Sequence, residues 1–295
     1  MTNLWCHPGL LSSSRRRGSI HFAFALFLAF FFVACSDDDS DFATKPSGDS
    51  SSSVKSSSSA KSSGSEEKKN QCNVETDKNC IKDDRDGQTY RTVKIGDQVW
   101  MAENLNYAYT DVLYDFGFNR SDSTSWCYDN AAKNCSDYGR LYTWAAAMDS
   151  VGTWSTSGKG CGYGSTCSPT DPVRGICPEG WHLPSKAEWE TLAAAVGGIS
   201  TACTKLKSTS GWYESGNGTD EFGFTAIPTG IRSHEFGKFQ AKGKELHFWT
   251  SIEYDGPTEY AEKNAYSIYL GYAYEFVHPF FHYKDIGFSV RCVKD

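Results

Sequence analysis

The 295-residue sequence lacks the short motifs that mark the commonest catalytic and cofactor-binding sites. It contains no Gly-x-Ser-x-Gly nucleophile elbow, no phosphate-binding glycine loop and no His-Glu-x-x-His motif. It also has no Cys-x-x-Cys pair of the kind that structural zinc sites use. Among the seven histidines, only His278 and His282 have a spacing that suits a metal, and Pro279 disfavours a helix there. The sequence therefore predicts no catalytic residue, no metal and no cofactor.

Basic charge and long apolar runs are also scarce. Lys and Arg number 29 against 36 Asp and Glu, so the formal net charge is −7. Three of the 29 lie together at Arg15, Arg16 and Arg17. An acidic chain without a basic stripe argues against nucleic acid as a partner. Outside Ile20 to Ala34, no apolar stretch is long enough to span a membrane.

Residues 1–34 have the pattern of a signal peptide, because three arginines precede a short apolar run. The run ends in Phe32-Val33-Ala34-Cys35, which has the form of a lipobox and predicts lipidation of Cys35. Phe32 departs from the usual pattern, which has Leu most often at that position. An ordinary cleaved signal, with Cys35 as a bystander, is the alternative. The first interpretation places the protein in a bacterial cell envelope, lipid-anchored to the outer membrane and exposed at the surface.

Residues 35–82 are predicted to form a disordered tether. Four aspartates follow Cys35 closely, and Ser50 to Ser65 is nearly all serine. Such a segment has too little apolar surface to offset the entropy of folding. The acidic run suits an export signal to the outer surface and suits simple solubility equally well. Residues 83–295 are then long enough for one folded domain with a sizeable core.

Cysteine spacing supports an oxidising compartment. Six of the 11 cysteines form pairs that lie close together in the sequence. In an exported chain, such pairs predict local disulfides. They are Cys72 with Cys80, Cys127 with Cys135, and Cys161 with Cys167.

A central helix is the clearest local prediction. Ser185 and Glu188 form a capping box, in which each side chain satisfies a backbone N–H of the first turn. Gly197-Gly198 stops the helix, since glycine accepts a left-handed conformation. One face of the helix is apolar, with residues at helical spacing: Trp189, Leu192, Ala193 and Val196.

Four stretches of the chain resemble the Fibrobacter succinogenes major paralogous domain, a family of bacterial secreted and lipid-anchored proteins. They are Cys177 to Glu190, Arg85 to Tyr90, Trp100 to Leu105 and Gly287 to Val293. The resemblance covers residues 83–295. Around Ser185 it extends, more distantly, to the C-type-lectin-like fold of formylglycine-generating enzymes. It implies that fold, and it implies a long bridge between Cys177 and Cys292, which leaves Cys203 over.

The remaining pattern indicates an α+β domain with two helices and short antiparallel strands. Gly96-Asp97 is a two-residue turn that predicts a hairpin of Thr89 to Ile95 with Gln98 to Met101. A second, shorter helix is expected from Tyr142 to Met148. Five further strands are predicted: Phe222 to Ile227, Leu246 to Ser251, Ala265 to Leu270, Tyr272 to Val277 and Phe288 to Val293.

Single polar residues give weak evidence for catalysis. His182, between Trp181 and Leu183, is more typical of a hydrogen-bonded core histidine. Glu188 is explained by its capping role, and the cysteine pair of formylglycine-type enzymes has no counterpart near Cys292. We therefore expect a non-enzymatic recognition or adhesion module. The alternatives are an enzyme, either a glycosidase or a formylglycine-type oxidase, and a structural envelope lipoprotein.

Aromatic residues are concentrated in one segment of the chain. The aromatic residues of this segment are Tyr254, Tyr260, Tyr266, Tyr269, Tyr272, Tyr274, Phe276, Phe280, Phe281 and Tyr283. A sheet with one solvated face cannot bury all of these rings, and exposed aromatics suit recognition surfaces. We expect a polysaccharide or surface protein to be the partner. The predicted binding residues are Trp249, Tyr254, Tyr260, Tyr272, Tyr274 and Tyr283.

The predicted lipid anchor can be tested by changing Cys35 to Ser. Because the acyl groups attach to the cysteine, we expect Cys35→Ser to leave the membrane fraction or to accumulate unprocessed, with the domain still folded. Fractionation followed by mass measurement of the N-terminus checks this. A Cys35→Ser protein that remains membrane-bound and normally cleaved would show that Cys35 is not the anchor.

Overall fold

The computed structural model describes residues 72–110, 114–116, 119–121 and 124–295. The expected signal peptide, Cys35 and the stretch from Ser50 to Ser65 lie outside these residues. The described residues form a mixed α+β structure that is mostly sheet. None of the helices among them has the length and apolar character of a membrane-spanning segment.

Strands and helices alternate irregularly along the chain. The strands are β1 (Cys80–Lys82), β2 (Thr89–Ile95), β3 (Gln98–Met101), β4 (Tyr114–Phe116), β5 (Asn119–Ser121), β6 (Ser125–Trp126), β7 (Leu141–Tyr142), β8 (Trp181–His182), β9 (Ile231–Arg232), β10 (Phe239–Gln240), β11 (Glu245–Glu253), β12 (Asn264–Gly271), β13 (His278–Tyr283), β14 (Phe288–Ser289) and β15 (Val293–Lys294). The helices are α1 (Ala132–Tyr138), α2 (Trp144–Ala147), α3 (Lys186–Ala195), α4 (Ile199–Leu206) and α5 (Thr258–Ala261).

Two larger sheets organise these strands. One has the order β1-β2-β3-β15-β8, and the other has the order β13-β12-β11-β14-β7-β6. All pairings in them are antiparallel except the single parallel contact of β11 with β14. The predicted hairpin around Gly96-Asp97 is confirmed as β2 and β3, and the predicted strands at β11 and β12 are confirmed as well. Strand β1 of the first sheet lies before residue 83, at which the folded domain was predicted to begin.

The central helix α3 has the predicted start and end. The Ser185 hydroxyl accepts from the Glu188 backbone N–H at 3.3 Å, and the Ser185 N–H donates to the Glu188 carboxylate at 2.8 Å. Both glycines after the helix have positive φ, 108° at Gly197 and 100° at Gly198. The predicted capping box and glycine stop are therefore confirmed. Both depend only on residues a few positions apart in the sequence.

The six-stranded sheet has a hydrophobic core on each face. Trp249 of β11 packs in one cluster with Trp144 and Phe288. The preceding residue, Phe248, points to the opposite face and packs in the second cluster with Trp189 of α3. Alternation along a strand places successive side chains on opposite faces. This sheet is therefore covered from both sides at its centre.

The predicted strand from Tyr272 to Val277 is wrong, because this segment is a turn between β12 and β13. The buried Lys207 ammonium donates to the Gly271 carbonyl at 3.2 Å and to the Tyr274 carbonyl at 3.3 Å. The ammonium thus links the last residue of β12 to a residue in the turn, three positions further on, and holds the chain bent there. The aromatic composition favoured a strand, whereas a lysine 64 residues away determines the turn.

The predicted strand from Phe222 to Ile227 is also wrong. Only an isolated bridge between Ala226 and Lys207 occurs there. The carbonyls of Phe224 and Thr225 instead accept hydrogen bonds from the buried Arg291 guanidinium. Thr225 has a φ of 52°, which is incompatible with a strand.

Helix number and the last strand need correction too. The described residues contain five α-helices rather than two, and the second predicted helix is limited to α2, with Tyr142 in β7. The stretch from Phe288 to Val293 does not form one strand. It splits into β14 and β15, which belong to different sheets, so the chain end connects the two sheets.

Four disulfides link the domain. The pairs are Cys72–Cys80, Cys127–Cys135, Cys161–Cys167 and Cys177–Cys292. Cys203 is a buried free thiol, and burial raises its pKa to about 11. A thiol with so high a pKa is largely protonated at neutral pH and reacts slowly. The arrangement agrees with the local pairs predicted from spacing and with the long bridge implied by the family resemblance.

Removing the long bridge should destabilise the domain strongly. Cys177 and Cys292 are 115 residues apart, so the chain-entropy model gives up to about 4–5 kcal/mol. We expect a Cys177→Ser, Cys292→Ser double variant to unfold at markedly lower denaturant concentration, whereas Cys203→Ala, which breaks no bridge, should change the midpoint much less. Peptide mass mapping of the oxidised protein is the companion measurement. A Cys203 bonded to either partner would contradict this pairing.

Candidate functional site

The exposed rings of the domain concentrate at one edge of the six-stranded sheet. Strand β13 pairs only with β12 and forms this edge. We call the turn at 272–277 together with β13 the aromatic edge. Exposed rings occur at Tyr274 (43%), Phe276 (36%), Phe280 (42%), Phe281 (49%) and Tyr283 (43%). Side chains of an edge strand that extends past the core can be exposed on both faces of the sheet.

Five rings on one face of the edge form a closed circuit, which we call the five-ring platform. Its members are Tyr269, Tyr274, Phe276, His278 and Phe280. The centroid distances around the circuit are 5.7, 5.1, 6.1, 4.5 and 5.7 Å, in that order and back to Tyr269. These separations lie in the range of favourable aromatic contacts. The circuit therefore holds its rings in fixed positions.

The platform rests on the buried His247 and the half-buried His282, both uncharged at neutral pH. His247 stacks on Phe288 with centroids 4.4 Å apart and contacts Tyr269 at 4.9 Å. Burial lowers the pKa of His247. Burial and the neighbouring His247 lower the pKa of His282 to about 3. The two imidazoles under the platform are thus neutral at pH 7.

A second group of rings lies on the opposite face of the sheet at this edge. It comprises Tyr254, Tyr266 and Phe281, and we call it the tyrosine face. Tyr254 contacts Phe281 at 4.3 Å and Tyr266 at 5.7 Å. Polar groups surround it, because the Tyr266 hydroxyl donates to the exposed Asp255 carboxylate at 2.6 Å and Lys186 lies 4.8 Å above the Tyr266 ring. Apolar rings and hydrogen-bonding groups therefore lie side by side.

Each face has a glycine where a side chain would collide with a ring. A Cβ at Gly271 would overlap the Tyr269 hydroxyl and the Tyr274 ring. A Cβ at Gly256 would overlap the Tyr254 ring on the other face. Both glycines are thus required by close packing rather than by backbone conformation.

Two buried lysines hold the aromatic edge at its ends. Lys207 binds the turn before β13 through the Gly271 and Tyr274 carbonyls. Lys284, directly after β13, binds the Glu253 carboxylate and the Ser165 carbonyl. The edge is therefore fixed to the body of the domain at both ends.

The predicted binding residues are divided between surface and core. Tyr254, Tyr274 and Tyr283 belong to the aromatic edge or its tyrosine face. Tyr260 is exposed on α5, next to β12. Trp249 was predicted wrongly, since it is 0% exposed and its indole N–H donates to the Tyr142 carbonyl.

Tyr272 is likewise not an open binding residue. It is half-buried against the second core cluster, and its ring meets Tyr213 edge-on at 5.4 Å. The binding prediction omitted Phe276, Phe280 and Phe281, which lie at the centre of the exposed rings. The signal for them was present in the sequence, because a proline inside a strand indicates an edge strand.

His182 was considered as a catalytic residue, and its hydrogen-bond partners give it a structural role. Its Nδ1 lies 2.7 Å from Asp295 and its Nε2 lies 2.7 Å from Glu188. Only an imidazolium donates from both nitrogens, so this geometry calls for the charged ring. Burial opposes protonation, but the hydrogen bonds to Glu188 and Asp295 outweigh it and raise the pKa of His182. This triad connects the start of α3 to the end of the chain.

Asp220 is a further acidic side chain that is engaged within the domain. Asp220 accepts from the Thr225 N–H and hydroxyl, each at 2.7 Å. Among the described residues, no group of three or more His, Cys, Asp or Glu side chains is arranged to hold a metal ion. The aromatic edge remains the most distinctive surface in this part of the chain.

Fold and site together define a disulfide-linked α+β domain with an exposed aromatic sheet edge. Residues 93–294 match the Fibrobacter succinogenes major domain, and the chain belongs to this family. No curated protein matches the chain significantly, and no solved structure does.

The triad of His182 predicts a pH-dependent stability. Because the folded pKa of His182 is raised, its stabilisation is complete below the unfolded value of about 6.5 and is lost as pH rises through the folded value. We expect Asp295→Asn to be less stable than the unmodified protein at pH 6 and equally stable at pH 9. The difference at pH 6 should not exceed about 1 kcal/mol, since Asp295 is half exposed.

Urea unfolding at several pH values measures this difference. Glu190→Gln is the matched control. Glu190 is exposed on α3, and its substitution removes one negative charge without touching His182. An Asp295→Asn effect that is constant from pH 6 to pH 9 would contradict the assignment of a charged His182.

Proposed function

We propose that this chain is a surface-tethered, non-enzymatic recognition module that binds polysaccharide through its aromatic edge. The observation that carries the proposal is the exposure of five rings within ten residues, from Tyr274 to Tyr283. Burial of an exposed aromatic ring on binding is favourable, and rings held by packing lose little entropy. A rigid aromatic surface is therefore suited to a ligand with flat apolar faces.

Sugar rings have that property. The C–H face of a pyranose is apolar, whereas its rim carries hydroxyls that need hydrogen-bond partners. The aromatic edge offers both, since Phe280 and Phe281 supply rings, and Tyr266 with Asp255 supplies hydrogen-bonding atoms at the border. Sites for small ligands usually combine mainly apolar contacts with a few well-placed polar groups.

The proposal includes the anchor and the tether. A lipid on Cys35 would hold the protein on the outer membrane, and the serine-rich segment would let the domain move away from it. Several anchored copies could then bind one long polymer, and the high effective concentration would strengthen weak individual contacts. This arrangement suits adhesion of a cell to a polysaccharide.

A lectin-like relationship is part of the same proposal. The Cys177–Cys292 bridge links the segment before α3 to the last strands, as in C-type-lectin-like domains. The proposal of a non-enzymatic role rests on the hydrogen bonds of the two candidate catalytic side chains. Glu188 binds Ser185 and His182, and His182 binds two carboxylates. Reducing-end assays on the polysaccharides named below test the enzymatic alternative.

Binding to insoluble polysaccharide tests the proposal directly. We expect full-length protein in detergent to be retained on at least one of cellulose, xylan, mannan and chitin. A Phe280→Ala, Phe281→Ala double variant should bind at least about tenfold more weakly, which corresponds to about 1.4 kcal/mol. Circular dichroism checks that the double variant is folded.

The matched control is Phe236→Ala. Phe236 is the most exposed large hydrophobic of the described residues at 71%, and its ring lies beside Lys238 in the turn between β9 and β10. It should bind as the unmodified protein does. If unmodified protein is retained on none of the four polymers, polysaccharide binding is wrong. If the double variant is retained equally well, the site lies elsewhere.

A further inference from the structure

The two exposed faces of β13 differ in chemistry and are separated by the strand itself. His278 and Phe280 lie opposite Tyr269 and Ser267 of β12, on the side of the five-ring platform. Phe281 lies opposite Tyr266, on the side of the tyrosine face. Because successive side chains point to opposite sides of a strand, no single flat ligand can contact Phe280 and Phe281 at the same time.

From this arrangement we infer that the domain has two separate carbohydrate subsites, one on each face of β13. This inference rests on the proposed function and adds the number of sugar chains that one domain binds. The five-ring platform stacks on the apolar face of one sugar chain, and the tyrosine face binds a second chain with additional hydrogen bonds. One domain thus joins two polymer chains.

The size of each face favours a narrow ligand over a protein. A ring exposed by 40–50% offers on the order of 80–100 Å², because a whole aromatic side chain buries about 150–250 Å². Three such rings give no more than about 300 Å² on one face, whereas a stable protein partner needs about 800 Å². A second copy of this chain is disfavoured for the same reason, and one or two sugar rings fit the area.

The outer side of the strand is poorly suited to pairing with another strand. Pro279 has no N–H to donate, and its carbonyl accepts from the His278 ring at 2.7 Å. The Tyr283 carbonyl accepts from the Ile286 N–H at 3.1 Å. Proline and occupied backbone groups are the usual means by which an edge is protected from strand addition. Ligands therefore bind to the faces of β13 and not along its backbone.

The polar surroundings distinguish the two subsites. At the tyrosine face, Asp255 is exposed and already orients the Tyr266 hydroxyl at 2.6 Å. At the five-ring platform, the supporting histidines His247 and His282 are uncharged because their pKa values are lowered. Ligand bound at the tyrosine face should thus depend on Asp255, whereas ligand at the platform should not.

Titration calorimetry with soluble hexasaccharides tests the inference. The probes are cellohexaose, xylohexaose and mannohexaose, added to full-length protein in detergent. For a hexasaccharide that binds, we expect two molecules per domain. Phe280→Ala should remove one of them and Phe281→Ala the other, so each single variant binds one molecule. Asp255→Asn should weaken only the site that remains in Phe280→Ala.

Glycine variants supply a second route, which removes no aromatic side chain. Gly271→Ala forces the platform rings apart, and Gly256→Ala displaces Tyr254 on the other face. Each is expected to lower the stoichiometry from two to one. Turbidity of a soluble polymer should rise with the unmodified protein, because two-site binding cross-links chains, and should fail to rise with either variant.

Three results would overturn the inference. One molecule bound per domain, abolished equally by Phe280→Ala and Phe281→Ala, would show a single site and leave the proposed function standing. Two molecules bound, with both lost in either single variant, would show that the faces are not separate. Absence of binding to every hexasaccharide and to every insoluble polymer would overturn both proposals together.

Discussion

One buried guanidinium connects parts of this domain that are far apart in the sequence. Arg291 is fully buried, and its donors bind the Asn104 side chain and the carbonyls of Phe224 and Thr225. Its plane also lies over the Phe224 ring at 4.3 Å. A buried charge is tolerated only where such partners surround it, so the segments must come together for the domain to fold. Burial lowers the pKa of Arg291 to about 9, so the side chain still carries its charge at neutral pH.

The position of Arg291 explains why the chain end connects both sheets. The next residue, Cys292, is bonded to Cys177, and its carbonyl accepts from the Met101 N–H at 3.0 Å. Just upstream, the Val290 carbonyl accepts from the Leu105 N–H at 2.9 Å. These bonds fix the segment between β14, which is in one sheet, and β15, which is in the other. In the six-stranded sheet, β14 lies between β11 and β7, and β13 forms one of the two edges.

Features decided by neighbouring residues could be predicted from the sequence, and features decided by distant ones could not. The Ser185–Glu188 capping box, the hairpin around Gly96-Asp97 and the three short disulfides depend on residues a few positions apart. The turn at 272–277 depends on Lys207, and the irregular stretch from Phe222 to Ile227 depends on Arg291. Neither partner is visible in a local pattern. For the same reason, the crowd of aromatics indicated a surface, but composition could not separate Trp249, which is buried, from Phe280, which is exposed.

Buried and exposed aromatics nevertheless form one continuous series of contacts. Trp249 touches Phe288 at 4.5 Å, Phe288 stacks on His247 at 4.4 Å, His247 touches Tyr269 at 4.9 Å, and Tyr269 touches Phe280 at 5.7 Å. Each ring in this series restricts the rotamers of the next, so the exposed rings are ordered when the domain folds and not when a ligand arrives. Because side-chain ordering opposes binding by about 0.5–1.5 kcal/mol per immobilised group, a surface ordered in advance binds a weakly interacting ligand more tightly. For the proposed ligand, the core would therefore contribute to binding through the rigidity that it gives to the aromatic edge.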